Sequence, residues 1–256
     1  MIDLNKAKQE FLKYVNNNYD IQNIHIEMKR EHSLRVMEAS NNIAKKLDLC
    51  QEDIDLATLI GLLHDIARFE QYTKYKTFRD SISIDHGDLA VEILKKNNFI
   101  RNFIDTDMYD YIIFKAIKNH NKYKIEEGLN DRELLFSKII RDADKIDIFY
   151  EAYVMFWKEI EEEIEKSEIS KDVEESFKKY EPIKKKSNQN RTYIDKVLIV
   201  IAFIFDMNFK ESFIIIKNED YINKILDRFN FEKKESMQLI EEIKDIANKY
   251  IADRIR

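Results

Sequence analysis

Three glycines and one proline serve a chain of 256 residues. Average usage is roughly 7% and 5%. Strand-to-strand connections need tight turns, and tight turns draw on Gly, Pro, Asn and Asp. A chain so poor in the first two is expected to be all-α. Its abundance of Lys, Glu, Asp and Ile suits amphipathic helices. Hydrophobic residues make up 44%, enough for one large domain or two small ones.

The net charge is −6, with both signs interspersed. That argues against general nucleic-acid binding, which needs clustered positive charge. The single Cys50 excludes an intramolecular disulfide and a cysteine-based zinc site, and it suits a reducing cytoplasm. The run Met1-Ile2-Asp3-Leu4-Asn5-Lys6 lacks a basic segment followed by an apolar one, so no signal peptide is expected. The longest apolar run, Val197 to Phe205, has nine residues. A bilayer needs about 20, so the run reads as a buried core helix and no membrane association is expected.

Hydrophobic spacing predicts helices over 3–18, 28–47, 53–70, 86–97 and 107–120. Another starts at Asp131, as N-cap, and runs past Asp144 towards Glu165. Segments 71–85 and 123–130 read as loops, and the first is long enough to be functional. The charged stretch from Glu159 to Lys186 reads as a solvated helix face and a loop. Helices follow over 191–208, 210–229 and 232–254. Residues 1–160 are expected to form a helical core, with 161–256 as a helical extension packed on it.

Within the buried 53–70 segment, His64 and Asp65 are adjacent, and no Lys or Arg lies among the surrounding residues 57–67. An unpartnered buried carboxylate costs several kcal/mol in practice. A metal ion shared with other ligands would neutralise it. Of the five histidines, His32, His64, His86 and His120 fall on apolar faces. One such histidine is usually a satisfied core residue. Four in one chain, beside an embedded Asp, are what a metal site built from facing helices requires. His25 reads as surface. A further carboxylate is available from Asp142, Asp144 or Asp147, and periodicity alone does not choose among them.

The order His32 … His64-Asp65 … Asp144 resembles the H…HD…D signature of the HD-domain superfamily of metal-dependent phosphohydrolases. The contexts Glu31-His32-Ser33-Leu34-Arg35-Val36, Leu62-Leu63-His64-Asp65-Ile66-Ala67-Arg68 and Asp142-Ala143-Asp144-Lys145-Ile146-Asp147 carry the similarity. The last is similar to the family's "DADRLD" element, whose second aspartate is the usual ligand, which selects Asp144. The resemblance covers about residues 25–150. It implies a compact all-α, multi-helix HD-domain bundle, here with additional C-terminal helices.

Members with two metals add two histidines between the HD pair and the final Asp, where His86 and His120 lie. The implied arrangement has metal 1 on His32, His64, Asp65 and Asp144, and metal 2 on Asp65, His86 and His120. The alternative is a one-metal site, with His86 and His120 touching substrate or supporting ligands. The cofactors are one or two divalent ions: Fe, Mn, Zn, Co or Ni, with Mg also allowed.

The resemblance implies hydrolysis of a small, nucleotide-like phosphorylated substrate through metal-activated water. Nucleotides, phosphodiesters and phosphomonoesters all qualify. Asp65 would act as bridging ligand, with Arg68 and Lys145 as candidate phosphate-binding groups. Tyr72, Lys74, Tyr75 and Arg79 in the 71–85 loop are available to contact a base or phosphate. The same ligand order also fits an HD-fold di-iron oxygenase using O₂, and a non-catalytic nucleotide or metal sensor. The sequence leaves room for a homodimer.

Overall fold

A computed structural model describes residues 2–154, 160–184 and 191–256. Helices and their connections account for these residues, and no strand occurs among them. No helix among them is long and apolar enough to cross a membrane. The chain divides into two compact units, one up to Asp144 and one from Lys145 to Arg256.

The first unit opens with α1 (Leu4–Asn18), started by Asp3, whose side chain accepts from the Lys6 amide at 2.9 Å. It buries Ala7, Phe11 and Val15, one stripe at helical spacing. α2 (Ile24–Lys46) is capped by Asn23 and buries Ile26, His32, Val36 and Ile43. α3 (Gln51–Leu63) is buried on nearly every side from Ile54 onwards. The two helices cross at Gly61. A Cβ there would lie 2.8 Å from the Val36 carbonyl oxygen and 2.5 Å from Ser40 Oγ, so glycine permits the close approach.

The expected helix over 53–70 is not continuous. α3 ends at Leu63, and His64 to Ala67 form a turn held by Leu63 C=O accepting from Ile66 N–H and Asp65 C=O from Arg68 N–H. α4 (Arg68–Tyr75) then runs on to Lys76, which takes a left-handed conformation. The expected loop 71–85 is therefore shorter, beginning at Lys76 and containing a 3₁₀ turn at Asp80–Ile82.

α5 (His86–Lys95) is capped by Asp85, and α6 (Asp110–Asn119) ends at His120. α7 (Asp131–Val154) starts one residue earlier than expected in its capping. Asn130 is the cap: its side chain accepts from Glu133 N at 2.9 Å, and Glu133 accepts from Asn130 N at 3.0 Å.

The second unit takes the rest of α7 from Lys145, then α8 (Glu161–Glu165), α9 (Lys171–Lys178) and α10 (Tyr193–Ile201). α11 (Lys210–Glu219), α12 (Tyr221–Leu226) and α13 (Lys234–Ile255) complete it. The charged stretch expected to be solvated instead buries Ile164, Val173 and Phe177 through α8 and α9. Its positions 159, 185 and 186 lie outside the described residues, as do 155–158 of the expected long helix. The run from Val197 to Phe205 is core as expected, but the α-helix stops at Ile201 and tightens into a 3₁₀ turn. Phe205 meets Phe177 and Tyr250 edge-on, with ring centroids 5.4 and 4.9 Å apart. Left-handed Asp220 divides the helix expected over 210–229 into α11 and α12.

Candidate metal centre

Three helix ends and two helix interiors converge in the first unit. His32 comes from the middle of α2, His64 and Asp65 from the turn after α3, His86 from the start of α5 and His120 from the end of α6. Asp144 comes from α7. The four histidines and Asp65 are all buried, and the Asp144 side chain is 18% exposed.

His32 Nε2 lies 3.2 Å from Asp144 Oδ1 and 3.3 Å from His64 Nε2. His86 Nε2 lies 2.9 Å from His120 Nε2. Asp65 stands between the pairs. Its Oδ2 is 3.4 Å from His32 Nε2 and 3.7 Å from His64 Nε2, whereas Oδ1 is 3.4 Å from His86 Nε2 and 3.6 Å from His120 Nε2. Two groups, His32/His64/Asp144 and His64/Asp65/His120, each gather ligand atoms within 4.8 Å of one another. The six residues expected as metal ligands are thus brought together.

The hydrogen-bond partners fix the chemistry of these rings. His64 Nδ1 donates to the Gly61 carbonyl at 2.7 Å, and His120 Nδ1 to the Ile117 carbonyl at 2.6 Å. His86 Nδ1 donates to Asp80 Oδ2 at 2.7 Å. In its neutral form, a ring with the proton on Nδ1 aims a bare Nε2 lone pair at the others. Burial lowers the His64 pKa, and burial together with Arg68 lowers that of His86 to about 3. Both rings are therefore neutral near pH 7. Two facing lone pairs at 2.9 Å repel unless a cation lies between them. Asp65 Oδ1 is also buried without a hydrogen-bond partner. The donor set fits metal ions, with nitrogen and carboxylate ligands in the mix that suits transition metals.

Burial pushes the Asp65 carboxyl up, but Lys29, His64 and Arg68 more than offset it and hold the group well below the usual carboxylate range. Burial likewise opposes ionisation of Asp144, and the adjacent imidazoles of His32 and His64 hold it well below that range. Both carboxylates are charged at neutral pH and ready to ligate.

Neither cation beside Asp65 lies within the 57–67 run. Lys29 Nζ, from α2, is 3.0 Å from Oδ2, and Arg68 Nε is 3.3 Å from Oδ1. Sequence reasoning missed Lys29, whose only signal is its place one turn before His32. Arg68 was expected to meet phosphate. Its Nη1 is engaged by Gln71 Oε1 at 2.8 Å, the Phe78 carbonyl at 2.8 Å and Asp80 Oδ1 at 3.3 Å. Lys145 points to Asp206 within the second unit, Nζ to Oδ2 at 2.8 Å. Tyr72 packs on Phe78 and on His25, which is exposed as expected. Lys74 pairs with Glu70, and Tyr75 and Arg79 are exposed.

Arg141 is a further omission. It is buried, and its Nη1 donates to the carbonyls of Asn119 at 2.9 Å and Lys122 at 2.6 Å, with His120 O at 3.4 Å. The guanidinium thus closes the end of α6, where carbonyls lack helical partners, and fixes the turn that presents His120. Its charge complements the negative end of the helix dipole.

A family model of the HD domain matches residues 30–148. This stretch is an HD domain. HD domains define a superfamily of metal-dependent phosphohydrolases. No curated protein and no solved structure matches the chain. The matched interval contains His32, His64, Asp65, His86, His120 and Asp144, the residues whose ligand atoms face one another. The HD domain is all-α, in agreement with the described helices.

Proposed function

We propose that the protein is a two-metal phosphohydrolase acting on a small phosphorylated substrate: a nucleotide, phosphodiester or phosphomonoester. The observation that carries this reading is the division of Asp65. One oxygen faces His32 and His64, the other faces His86 and His120. A carboxylate so placed can bridge two ions, which in two-metal sites lie about 3.5–4 Å apart. His32, His64, Asp65 and Asp144 would hold one ion, and Asp65, His86 and His120 the other. The imidazole-rich set favours Fe, Mn, Zn, Co or Ni over Mg, which prefers all-oxygen surroundings. When bound, such ions lower the pKa of coordinated water and neutralise charge on phosphoryl oxygens.

The chain's own groups do the positioning. The Nδ1 hydrogen bonds of His64, His86 and His120 keep each Nε2 directed inward. Lys29 and Arg68, packed against Phe78 at 5.6 and 5.7 Å from its ring centroid, set positive charge beside Asp65. That charge favours an anionic substrate. Arg68 is held rigidly through Nη1, which suits a fixed phosphate contact by the rest of its fork.

Metal analysis of the purified protein, with anomalous scattering from crystals, should find two transition-metal ions per chain. A panel of phosphomonoesters, phosphodiesters and nucleotides should reveal turnover. Asp65→Ala should lose both ions and the activity. Retained activity in that variant would refute the site. Oxygen uptake with a mixed-valent di-iron signal would establish the oxygenase reading instead. Tight nucleotide binding by the metal-loaded protein with no turnover would establish a sensor.

A further inference from the structure

The supports of the histidines divide into two kinds. His64 and His120 each stand at a helix C-terminus, where carbonyls are unpaired, and each bonds the carbonyl three residues back. His86 is the first residue of α5. A helix N-terminus presents N–H groups and a partial positive charge, so it supplies no acceptor for Nδ1–H and disfavours a nearby cation. Both deficits are met from outside the helix by one side chain, Asp80.

Asp80 is half-buried and belongs to the 3₁₀ turn of the 76–85 connection. Its Oδ2 accepts from His86 Nδ1 at 2.7 Å and from Asn121 Nδ2 at 3.1 Å. Its Oδ1 accepts from Gln71 Nε2 at 2.8 Å and Arg68 Nη1 at 3.3 Å. Gln71 is fully buried and also donates to Ser83 Oγ and to the Ile84 carbonyl, each at 2.9 Å. The connection is therefore pinned to α4 on both sides of Asp80. Arg68 links Asp80 in turn to Asp65 Oδ1, the oxygen that faces His86 and His120. Among the described residues, Asp80 and Gln71 bond directly to no candidate ligand other than His86.

We propose that Asp80 is a positioning residue for one half of the metal centre: it fixes the tautomer and direction of His86 and thereby governs the second ion selectively. The proposal rests on the two-ion reading above. A carboxylate on the distal nitrogen of a ligating histidine raises its basicity, and loss of such a partner typically costs 10–100-fold in metal affinity. Because the direct bond of Asp80 to a ligand is to His86, and its link through Arg68 reaches the Asp65 oxygen on that same side, the loss falls on the second ion and spares the first.

The test compares wild type with Asp80→Ala and Asp80→Asn. Zinc or manganese titrations followed by calorimetry should show two ions in wild type. In Asp80→Ala the first ion should bind as in wild type and the second about 10–100-fold more weakly. Asp80→Asn, which keeps an acceptor oxygen but no charge, should fall between them and serves where the alanine variant does not fold. Long-range ¹H–¹⁵N spectra of metal-free protein should show His86 protonated on Nδ1 in wild type and a mixture of tautomers in Asp80→Ala. Unchanged affinity for both ions, equal weakening of both, or an unchanged His86 tautomer would each overturn the proposal. The metal-free spectra also separate the two failures: a wild type that holds one ion sinks the two-ion reading, while the tautomer comparison still decides what Asp80 does to His86.

Discussion

Asp195 in the second unit and Asp65 in the first are both buried aspartates at the edge of an α-helix. Asp195 accepts from Ser170 N at 3.0 Å, Ser170 Oγ at 2.6 Å and Thr192 N at 3.3 Å, closing the capping box of α10. Its hydrogen-bond donors are neutral backbone and hydroxyl groups, two of them from Ser170, with the Arg191 guanidinium 3.9 Å away. Asp65 sits among Lys29, Arg68 and four imidazoles, with Oδ1 lacking any hydrogen-bond partner. One carboxylate joins chain segments; the other is surrounded by groups arranged for a cation. Burial of an aspartate therefore says little by itself. What separates the two is whether N–H and O–H donors saturate the oxygens.

The strongest way to break the contrast is Asp195→Ala. It orphans buried donors and removes a cap, and should cost about 2–4 kcal/mol in urea unfolding. Metal stoichiometry should stay as in wild type. Loss of metal in this variant would erase the distinction. Next, adding metal at about 100 times its Kd should stabilise wild type by about 2.7 kcal/mol. Asp195→Ala should gain the same increment and Asp65→Asn none, as read from the shift in unfolding midpoint. Arg141→Met should cost about 1–3 kcal/mol, since three carbonyls at the end of α6 lose their donor. It should also weaken metal held by His120, which a metal titration would show.

The smallest effect is a pH dependence of the metal-free protein. His86 has its folded pKa depressed to about 3 from 6.5. Between those values the unfolded chain binds the proton and the folded one does not, so stability falls as pH drops below about 6.5. The loss between about pH 7.5 and 5.5 should be on the order of 1 kcal/mol. Urea midpoints across that range should fall less steeply in His86→Leu, with buried His64 supplying a remaining slope. An equal slope in both proteins would contradict the neutral, buried state of His86.

Much of the centre was legible because its ligands lie on apolar faces with helical period. His32, His86 and His120 stand in register with buried neighbours such as Val36, Ala90 and Ile117. Asp144 needed the family pattern, since three aspartates crowd one helix segment. The break at His64 was illegible: apart from Thr58, Gly61 and the HD pair, residues 57–67 are apolar side chains, and no Gly or Pro follows Leu63 to mark the end of α3. Lys29 and Arg141 escaped notice because each acts through a partner 36 or 22 residues away, and Asp80 because it acts from a non-helical connection six residues before His86. No local period records such pairings. The two short helices of 161–178 were hidden by charge density, since only Ile164, Val173 and Phe177 reach the core.

The crossing at Gly61 has a kinetic consequence. It sets His32 beside His64, while the remaining ligands arrive from chain as far on as Asp144. Loops of that length close late in folding, because their entropy is lost before the contacts repay it. An ion can be captured in its full coordination only after the first unit has nearly finished folding. Bound metal should accordingly leave the folding rate almost unchanged and act on the unfolding limb, so that the centre works as a latch on the finished fold rather than as its nucleus.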